Sequence, residues 1–169
     1  MSAPGDPVRD PLRDSARDSR SQTRHADAVR AAARLAKVSG SALAEIDLTL
    51  PQYRVLVFLD SGGRPASDVA TLLDVAPSTV TSVVDGLCAR GLVLRGEDPD
   101  DRRRVVLSLT AEGKEMVTTG DSVVAERLGK LLDRLPRDEA DAALAGLESL
   151  NSAMEDYLTE KFGRPHGTS

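Results

Sequence analysis

The chain has 169 residues, of which 29% are charged, 40% hydrophobic and only 2% aromatic, so Leu, Val and Ala must build its core and helices are favoured over a β-sandwich or barrel. No apolar run approaches the roughly 18 residues of a membrane span, the N-terminus lacks a signal-peptide block, and one cysteine excludes a disulfide framework. The net charge of −5 argues against nucleic acid for the chain as a whole, but DNA contact needs only one basic feature in the right place.

The N-terminal segment, residues 1–22, contains three prolines and alternating Asp and Arg. This composition predicts a disordered or transiently helical tail, which is either a solvated, self-neutralised segment or an arm that touches DNA. Residues 23–46 have apolar side chains at helical spacing and predict a first helix. Thr49 is the predicted cap of a second helix, which begins at Leu50-Pro51.

Residues 66–91 have the pattern of a helix-turn-helix. Pro77 suits the first position of the second helix, because its missing N–H would be unpaired there. That helix has one apolar stripe, formed by Val80, Val83, Val84 and Leu87. Its opposite face is polar and carries Ser78, Thr79, Thr81, Ser82 and Asp85. Short hydroxyl side chains near a helix N-terminus permit close approach to phosphates and base edges, so we predict a recognition helix that reads the major groove with Pro77, Ser78, Thr79, Thr81 and Ser82.

A predicted β-hairpin follows the recognition helix, which ends at Gly91. Two β-rich runs, residues 92–95 and 105–109, bracket the polar turn GEDPDDRRR. The tip carries Arg102, Arg103 and Arg104, and arginine suits the narrow, electronegative minor groove. The hairpin is therefore interpreted as a wing, with Thr110 as the cap of the next helix.

Two long amphipathic helices, residues 111–135 and 138–162, are predicted on either side of Pro136. The second has an apolar stripe too long for a small winged domain to cover. Its members are Ala140, Leu144, Leu147, Leu150, Met154, Tyr157 and Leu158. We expect this stripe to pack with residues 23–46 and to hold a homodimer, which would place two recognition helices about 10 base pairs apart.

The run from Leu48 to Met116 resembles the MarR family of bacterial regulators, through LTLPQYRVL, VATLLDVAPSTVTSVVDGLCARGLV and DPDDRRRVVLSLTAEG. The resemblance implies an obligate homodimer on a roughly palindromic operator, acting as a repressor that a small, often phenolic, effector releases. In the family's Asp-x-Arg wing motif the matching residues are Asp101 and Arg103, which implies that Asp101 orients the guanidinium of Arg103 in the minor groove. The residues matching Pro77, Ser82 and Gly86 are often polar or basic in the family, and none is basic here.

The predicted fold is mainly α with a small β-hairpin wing, a winged helix-turn-helix with N- and C-terminal dimerisation helices. We divide the chain into a tail (1–22), one domain (23–162) and a C-terminal tail (163–169). Within the domain, residues 48–110 form the winged core, and residues 23–46 and 111–162 form the dimerisation helices.

Other functions have less support in the sequence. A winged helix that binds protein instead of DNA is the main alternative. His25 and His166 stand at opposite ends, and no Ser-His pairing, Gly-rich phosphate loop or metal-ligand cluster is present, so we predict neither an enzyme nor a cofactor nor a metal site. Cys88 is interpreted as a small buried hydrophobe, with a redox role as the alternative. A reducing cytoplasm is the expected location, and no residues are assigned to an effector.

Overall fold

A computed structural model describes residues 11–73, 77–97 and 104–163, with the backbone alone for residues 11–21 and 77. Within these ranges the helices are α1 (Pro11–Leu43), α2 (Leu50–Asp60), α3 (Ala66–Leu73), α4 (Pro77–Ala89), α5 (Ala111–Leu132) and α6 (Arg137–Phe162). The strands are β1 (Arg64–Pro65), β2 (Val93–Glu97) and β3 (Val105–Leu109), and Ala44–Ile46 form a turn of 3-10 helix. The chain forms two compact units, Met1–Lys37 and Val38–Ser169.

Helix α1 begins earlier than the sequence predicted. Of the segment that was expected to be disordered or transiently helical, residues 11–22 belong to α1. Pro11 stands at the first helical position, where its fixed φ suits the helix, and no proline or glycine follows before Gly40. The sequence analysis used the three prolines as evidence against a stable helix throughout residues 1–22, although the last of them, Pro11, can begin a helix. Residues 1–10 and 164–169 lie outside the described residues, so the tails predicted there are not tested.

Helix α2 is the central element of the second unit and begins at the predicted cap. The side chain of Thr49 accepts a hydrogen bond from the backbone N–H of Gln52 at 3.3 Å, and the side-chain oxygen of Gln52 accepts one from the backbone N–H of Thr49 at 3.0 Å. This reciprocal capping box satisfies two N–H groups that have no partner within the helix. The buried residues of α2 are Val55, Leu56, Phe58 and Leu59.

The helix that was predicted to begin at Pro77 is confirmed as α4, with Pro77 as its first residue. Its residues Val80, Val84 and Leu87 are buried in the core, where each apolar side chain stabilises the fold by about 1.5–3 kcal/mol relative to an exposed one. Gly91 ends the helix with φ at +70°. Its N–H donates to the carbonyl of Cys88, and the N–H of Leu92 donates to that of Leu87, which together form a Schellman motif. The turn at 74–76, including Ala76, lies outside the described residues.

The wing hairpin is confirmed in its strands. β2 and β3 are antiparallel, with Val93 opposite Leu109 and Glu97 opposite Val105. A third strand, β1, was not predicted; it pairs antiparallel with β3 through Arg64 opposite Leu107, which gives a sheet of order β1-β3-β2. Two residues after a Gly-Gly break show no alternating pattern, so only the tertiary pairing identifies them as a strand.

The start of α5 packs closely against the end of the recognition-helix segment. The N–H of Thr110 donates to the carbonyl of Leu92 at 3.2 Å, and the Thr110 hydroxyl donates to the carbonyl of Gly91 at 2.8 Å. The same hydroxyl oxygen accepts from the N–H of Gly113 at 2.9 Å and caps the helix as predicted. A Cβ on Gly113 would lie 2.1 Å from the Leu92 carbonyl oxygen, so no other residue fits this approach.

Farther along, α5 packs against α2 through a tyrosine. The Tyr53 hydroxyl donates to the carboxylate of Asp121, and a Cβ on Gly120 would lie 2.9 Å from the Tyr53 ring. Burial, reinforced by the hydrogen bond to Asp121 and its negative charge, raises the pKa of Tyr53 well above its usual value. Tyr53 therefore stays neutral and bridges the two helices at ordinary pH.

Helix α6, all of which the structure describes, contains no buried residue. No single helix among the described residues is long and apolar enough to cross a bilayer. The bent pair of α3 and α4 has sufficient length and apolar composition, and Val69, Leu73, Val80, Val84 and Leu87 of this pair are buried in the protein core.

We expect Gly113→Ala to lower the free energy of unfolding by at least about 1–3 kcal/mol, because the added methyl group overlaps a backbone carbonyl that cannot move independently. Gly129→Ala on the same helix is the matched control, since a Cβ there meets no atom within 4 Å. That change should raise the free energy of unfolding by about 0.5–1 kcal/mol. Denaturant unfolding at fixed protein concentration measures both, and equal effects of the two substitutions would contradict the close approach.

Candidate nucleic-acid interface

The polar face of α4 is exposed over the buried apolar stripe of the same helix. Exposed residues on this face are Ser78, Thr79, Thr81, Ser82 and Asp85. The first turn of α4 contains no acidic residue. Its N–H groups and the positive end of the helix dipole therefore present a surface that suits a phosphate. The predicted residues of the recognition helix thus share one surface; for Pro77 only the backbone position is described.

Asp85, the only charged residue of α4, is paired with the first wing strand. Nη2 of Arg95 lies 2.6 Å from Oδ1 of Asp85, and the two side chains are 45% and 54% exposed. The hydrogen bond to Asp85 raises the pKa of the Arg95 guanidinium. The pair neutralises a carboxylate on the face that was predicted to approach DNA, and it joins α4 to β2.

The tip of the wing is described only at its C-terminal side. Arg104 is exposed directly before β3. Asp101, Arg102 and Arg103 lie outside the described residues, so their predicted positions are not tested.

Three other arginines of the winged core bind backbone carbonyls of the protein. Arg54 donates to Leu72 at 2.9 Å, Arg90 to Asp47 at 2.6 Å, and Arg64 to Gly163 at 2.7 Å. Sequence reasoning missed these contacts, because nothing in a single sequence distinguishes an arginine that binds a distant carbonyl from one that binds solvent or DNA. Residues 51–110 hold seven arginines against eight acidic residues. Four of these arginines, Arg54, Arg64, Arg90 and Arg95, are engaged within the protein.

Two more predicted sites have a described position. Cys88 is half-buried on α4, and His25 is exposed within α1.

On α6, the predicted stripe lies along one side of the helix, with Leu150 64%, Met154 58% and Tyr157 55% exposed. Leu144 and Leu147 are also exposed, whereas Ala140 and Leu158 are half-buried.

Comparison with known proteins gives consistent matches. The model of the MarR family matches residues 46–104, from the end of the 3-10 turn into the wing. The HTH-type transcriptional regulator YfiV of Bacillus subtilis (strain 168) is 31% identical over 117 residues, which cover 69% of this chain and 73% of YfiV. YhbI of the same organism, another HTH-type transcriptional regulator, is 39% identical over 82 residues, covering 48% of this chain and 53%, about half, of YhbI.

Among solved structures, the transcriptional repressor CouR bound to a 23-mer DNA duplex has a TM-score of 0.60 and 32% sequence identity, covering 74% of this chain and 89% of CouR. The chain therefore belongs to the MarR family of winged helix-turn-helix, DNA-binding transcriptional regulators.

Proposed function

We propose that the chain is a sequence-specific repressor that binds a roughly palindromic duplex operator as a homodimer and is released by a small-molecule effector. The observation that carries this proposal is the exposed hydroxyl face of α4, which lies over a buried stripe that fixes the orientation of the helix. Because the apolar side is committed to the core, the polar side is the one that can enter a groove. The solved complex of CouR with a DNA duplex supports this role.

In this proposal, α4 lies in the major groove with Pro77, Ser78 and Thr79 at its leading end. Thr81 and Ser82 follow on the same exposed face. Short hydroxyl groups allow the helix backbone to come near the base edges. Arg103 of the wing enters the minor groove with its guanidinium oriented by Asp101, while Arg102 and Arg104 meet phosphates.

The exposed stripe on α6 supports the homodimer. A helix with a row of exposed leucines and no buried residue does not stabilise a lone protomer, because its apolar area stays in water. Packing against a second copy removes that area from water. A two-fold axis would then place two recognition helices about one helical turn apart, in keeping with a palindromic operator.

The remaining parts of the proposal follow from the DNA-binding role. A regulator that binds an operator works beside the chromosome, in the bacterial cytoplasm, and we propose no catalytic step, metal or cofactor for it. The repressor role is supported by the description of CouR as a transcriptional repressor. Family resemblance alone supports a small-molecule effector.

Selection of bound duplexes from a random pool tests the central claim. We expect the wild-type chain to enrich a roughly palindromic site, and Thr79→Ala and Ser82→Ala each to relax base preference there, since each deletes a hydroxyl on the groove-facing side. Thr118→Ala, an exposed threonine on α5, is the matched control and should leave the selected site unchanged. The proposal is wrong if no duplex is retained, and α4 does not read bases if both variants select the wild-type site.

The ion pair between α4 and β2 gives a second prediction. Arg95→Gln leaves Asp85 uncompensated near the phosphates and should weaken operator binding by about 0.2–1 kcal/mol at low salt. The double variant Asp85→Asn/Arg95→Gln keeps the wild-type net charge and should bind close to the wild-type affinity. Fluorescence anisotropy at several salt concentrations measures this cycle. A double variant as weak as Arg95→Gln would show that Arg95 contacts DNA itself.

The dimer gives a third prediction. Leu150→Asp places a carboxylate in the proposed interface and should weaken dimerisation by at least about 2 kcal/mol, or roughly 30-fold. Ser152→Asp adds the same charge on the opposite side of α6 and should leave the dimer intact. Sedimentation equilibrium from nanomolar to micromolar concentration distinguishes the two. A monomeric wild-type chain at micromolar concentration would refute the homodimer.

A further inference from the structure

Arg64, the first residue of β1, is the only buried charged side chain among the residues that the structure describes, at 5% exposure. Burial lowers the pKa of its guanidinium, and the negative charge of Asp68 offsets part of that shift. Taking a guanidinium out of water is costly unless acceptors replace the lost hydration. The hydrogen-bond acceptors and aromatic rings around Arg64 therefore indicate which contacts compensate for its burial.

The acceptors of Arg64 are at the C-terminal end of α6. Nη1 donates to the carbonyl oxygen of Gly163 at 2.7 Å and lies 3.4 Å from that of Phe162. These carbonyls have no partner within the helix, and they carry the negative end of its dipole. A cation at this point caps α6 from another element of the fold.

Two aromatic rings complete the contact. The Arg64 guanidinium lies over the ring of Phe58, 5.0 Å from its centroid, and the ring of Phe162 meets that of Phe58 edge-on at 5.2 Å. Phe58 belongs to α2, so the last turn of α6 is held by α2 and β1 together. Phe162 is the α6 residue that packs against the hydrophobic core.

The Nε donor of Arg64 differs from Nη1. Its Nε is buried and has no hydrogen-bond partner among the described residues. An unpaired buried donor costs stability, so an apolar residue of similar length would be at least as stable here as arginine. Stability of the core therefore does not explain the arginine, whereas attachment of α6 does.

We propose that Arg64 holds the end of α6 against the β1-β3-β2 sheet and so fixes the orientation of the winged core relative to α6, the proposed dimerisation helix. Arg64 faces Leu107 in the strand pairing, and β3 leads directly from the wing, so one continuous path runs from α6 through β1 to the wing. This inference rests on the proposed function for its consequence. In a homodimer in which both winged cores are held in this way, the two recognition helices have one separation and one angle. Such a dimer favours operators with one spacer length between the two half-sites.

The test variant is Arg64→Met, which keeps an apolar stem and removes the charge and the donors. Arg54→Met is the matched control, because Arg54 also donates to a backbone carbonyl, but to that of Leu72 on α3. Both variants should remain folded dimers with melting temperatures near that of the wild type. Arg64→Lys keeps the positive charge and an ammonium donor group but lacks the planar fork of the guanidinium, so it should restore the attachment of α6 only in part.

The first measurement does not involve DNA. Hydrogen exchange at the Gly163 amide, which donates to the carbonyl of Thr159, reports the attachment of the last turn. We expect exchange there to be about tenfold faster in Arg64→Met and unchanged in Arg54→Met, because a released helix end frays. Unchanged exchange of the Gly163 amide in Arg64→Met would overturn the proposal that Arg64 holds the end of α6. This outcome does not depend on whether the chain binds DNA.

The second measurement uses the selected operator with one base pair inserted or removed between the half-sites. Each base pair rotates one half-site by about a tenth of a turn, so the wild-type chain should lose about tenfold in affinity and Arg64→Met less than about threefold. An equal loss in both would overturn the positioning role. A uniform loss across all spacers together with a lower melting temperature would identify a merely structural residue. If the wild-type chain binds no duplex, the proposed function fails, and the hydrogen-exchange measurement still tests whether Arg64 holds the end of α6.

Discussion

The arrangement of the winged core depends on the backbone carbonyl of Leu92. It follows the Schellman motif that ends the recognition helix, it stands directly before β2, and it accepts the N–H of Thr110 at the start of α5. Gly113 allows the first turn of α5 to lie against it. Three elements with different tasks, the recognition helix, the wing and the long helix α5, therefore meet in one hydrogen-bonded junction. A side chain at residue 113 would force them apart.

This junction explains how a short recognition helix keeps its orientation. An isolated helix of 13 residues is marginal in water, so α4 depends on the core for its stability. The buried stripe fixes its rotation about its own axis, and the Schellman motif fixes its end. The Asp85–Arg95 pair then ties its exposed face to β2. The orientation of the hydroxyl face is thus set by the buried stripe, by the end of the helix and by the Asp85–Arg95 pair.

The distribution of arginines resolves the apparent conflict between an acidic chain and DNA. An excess of negative charge keeps nonspecific attraction to DNA weak, so affinity must come from a few well-placed cations. In the described part of the winged core, Arg54, Arg64 and Arg90 bind backbone carbonyls that end helices or turns. Arginine suits this task because its planar guanidinium presents several donors and stays charged when buried. The same residue type binds backbone carbonyls within the winged core and, in our proposal, contacts DNA at the wing.

The sequence by itself determined the features that local chemistry controls. Thr49 and Thr110 as caps, Pro77 as the first residue of α4, Gly91 as its end and the strands of the wing were all predicted, because each depends on residues within a few positions along the chain. Local rules left a disordered and a transiently helical interpretation open for residues 11–22, and they missed β1, which exists only through its pairing with β3. Only the tertiary structure decided which arginines bind carbonyls, that Asp85 is neutralised by Arg95, and that Arg64 holds the end of α6. The physical reason is that each of these contacts joins residues brought together by packing, whose separation along the chain leaves no periodic signal in the sequence.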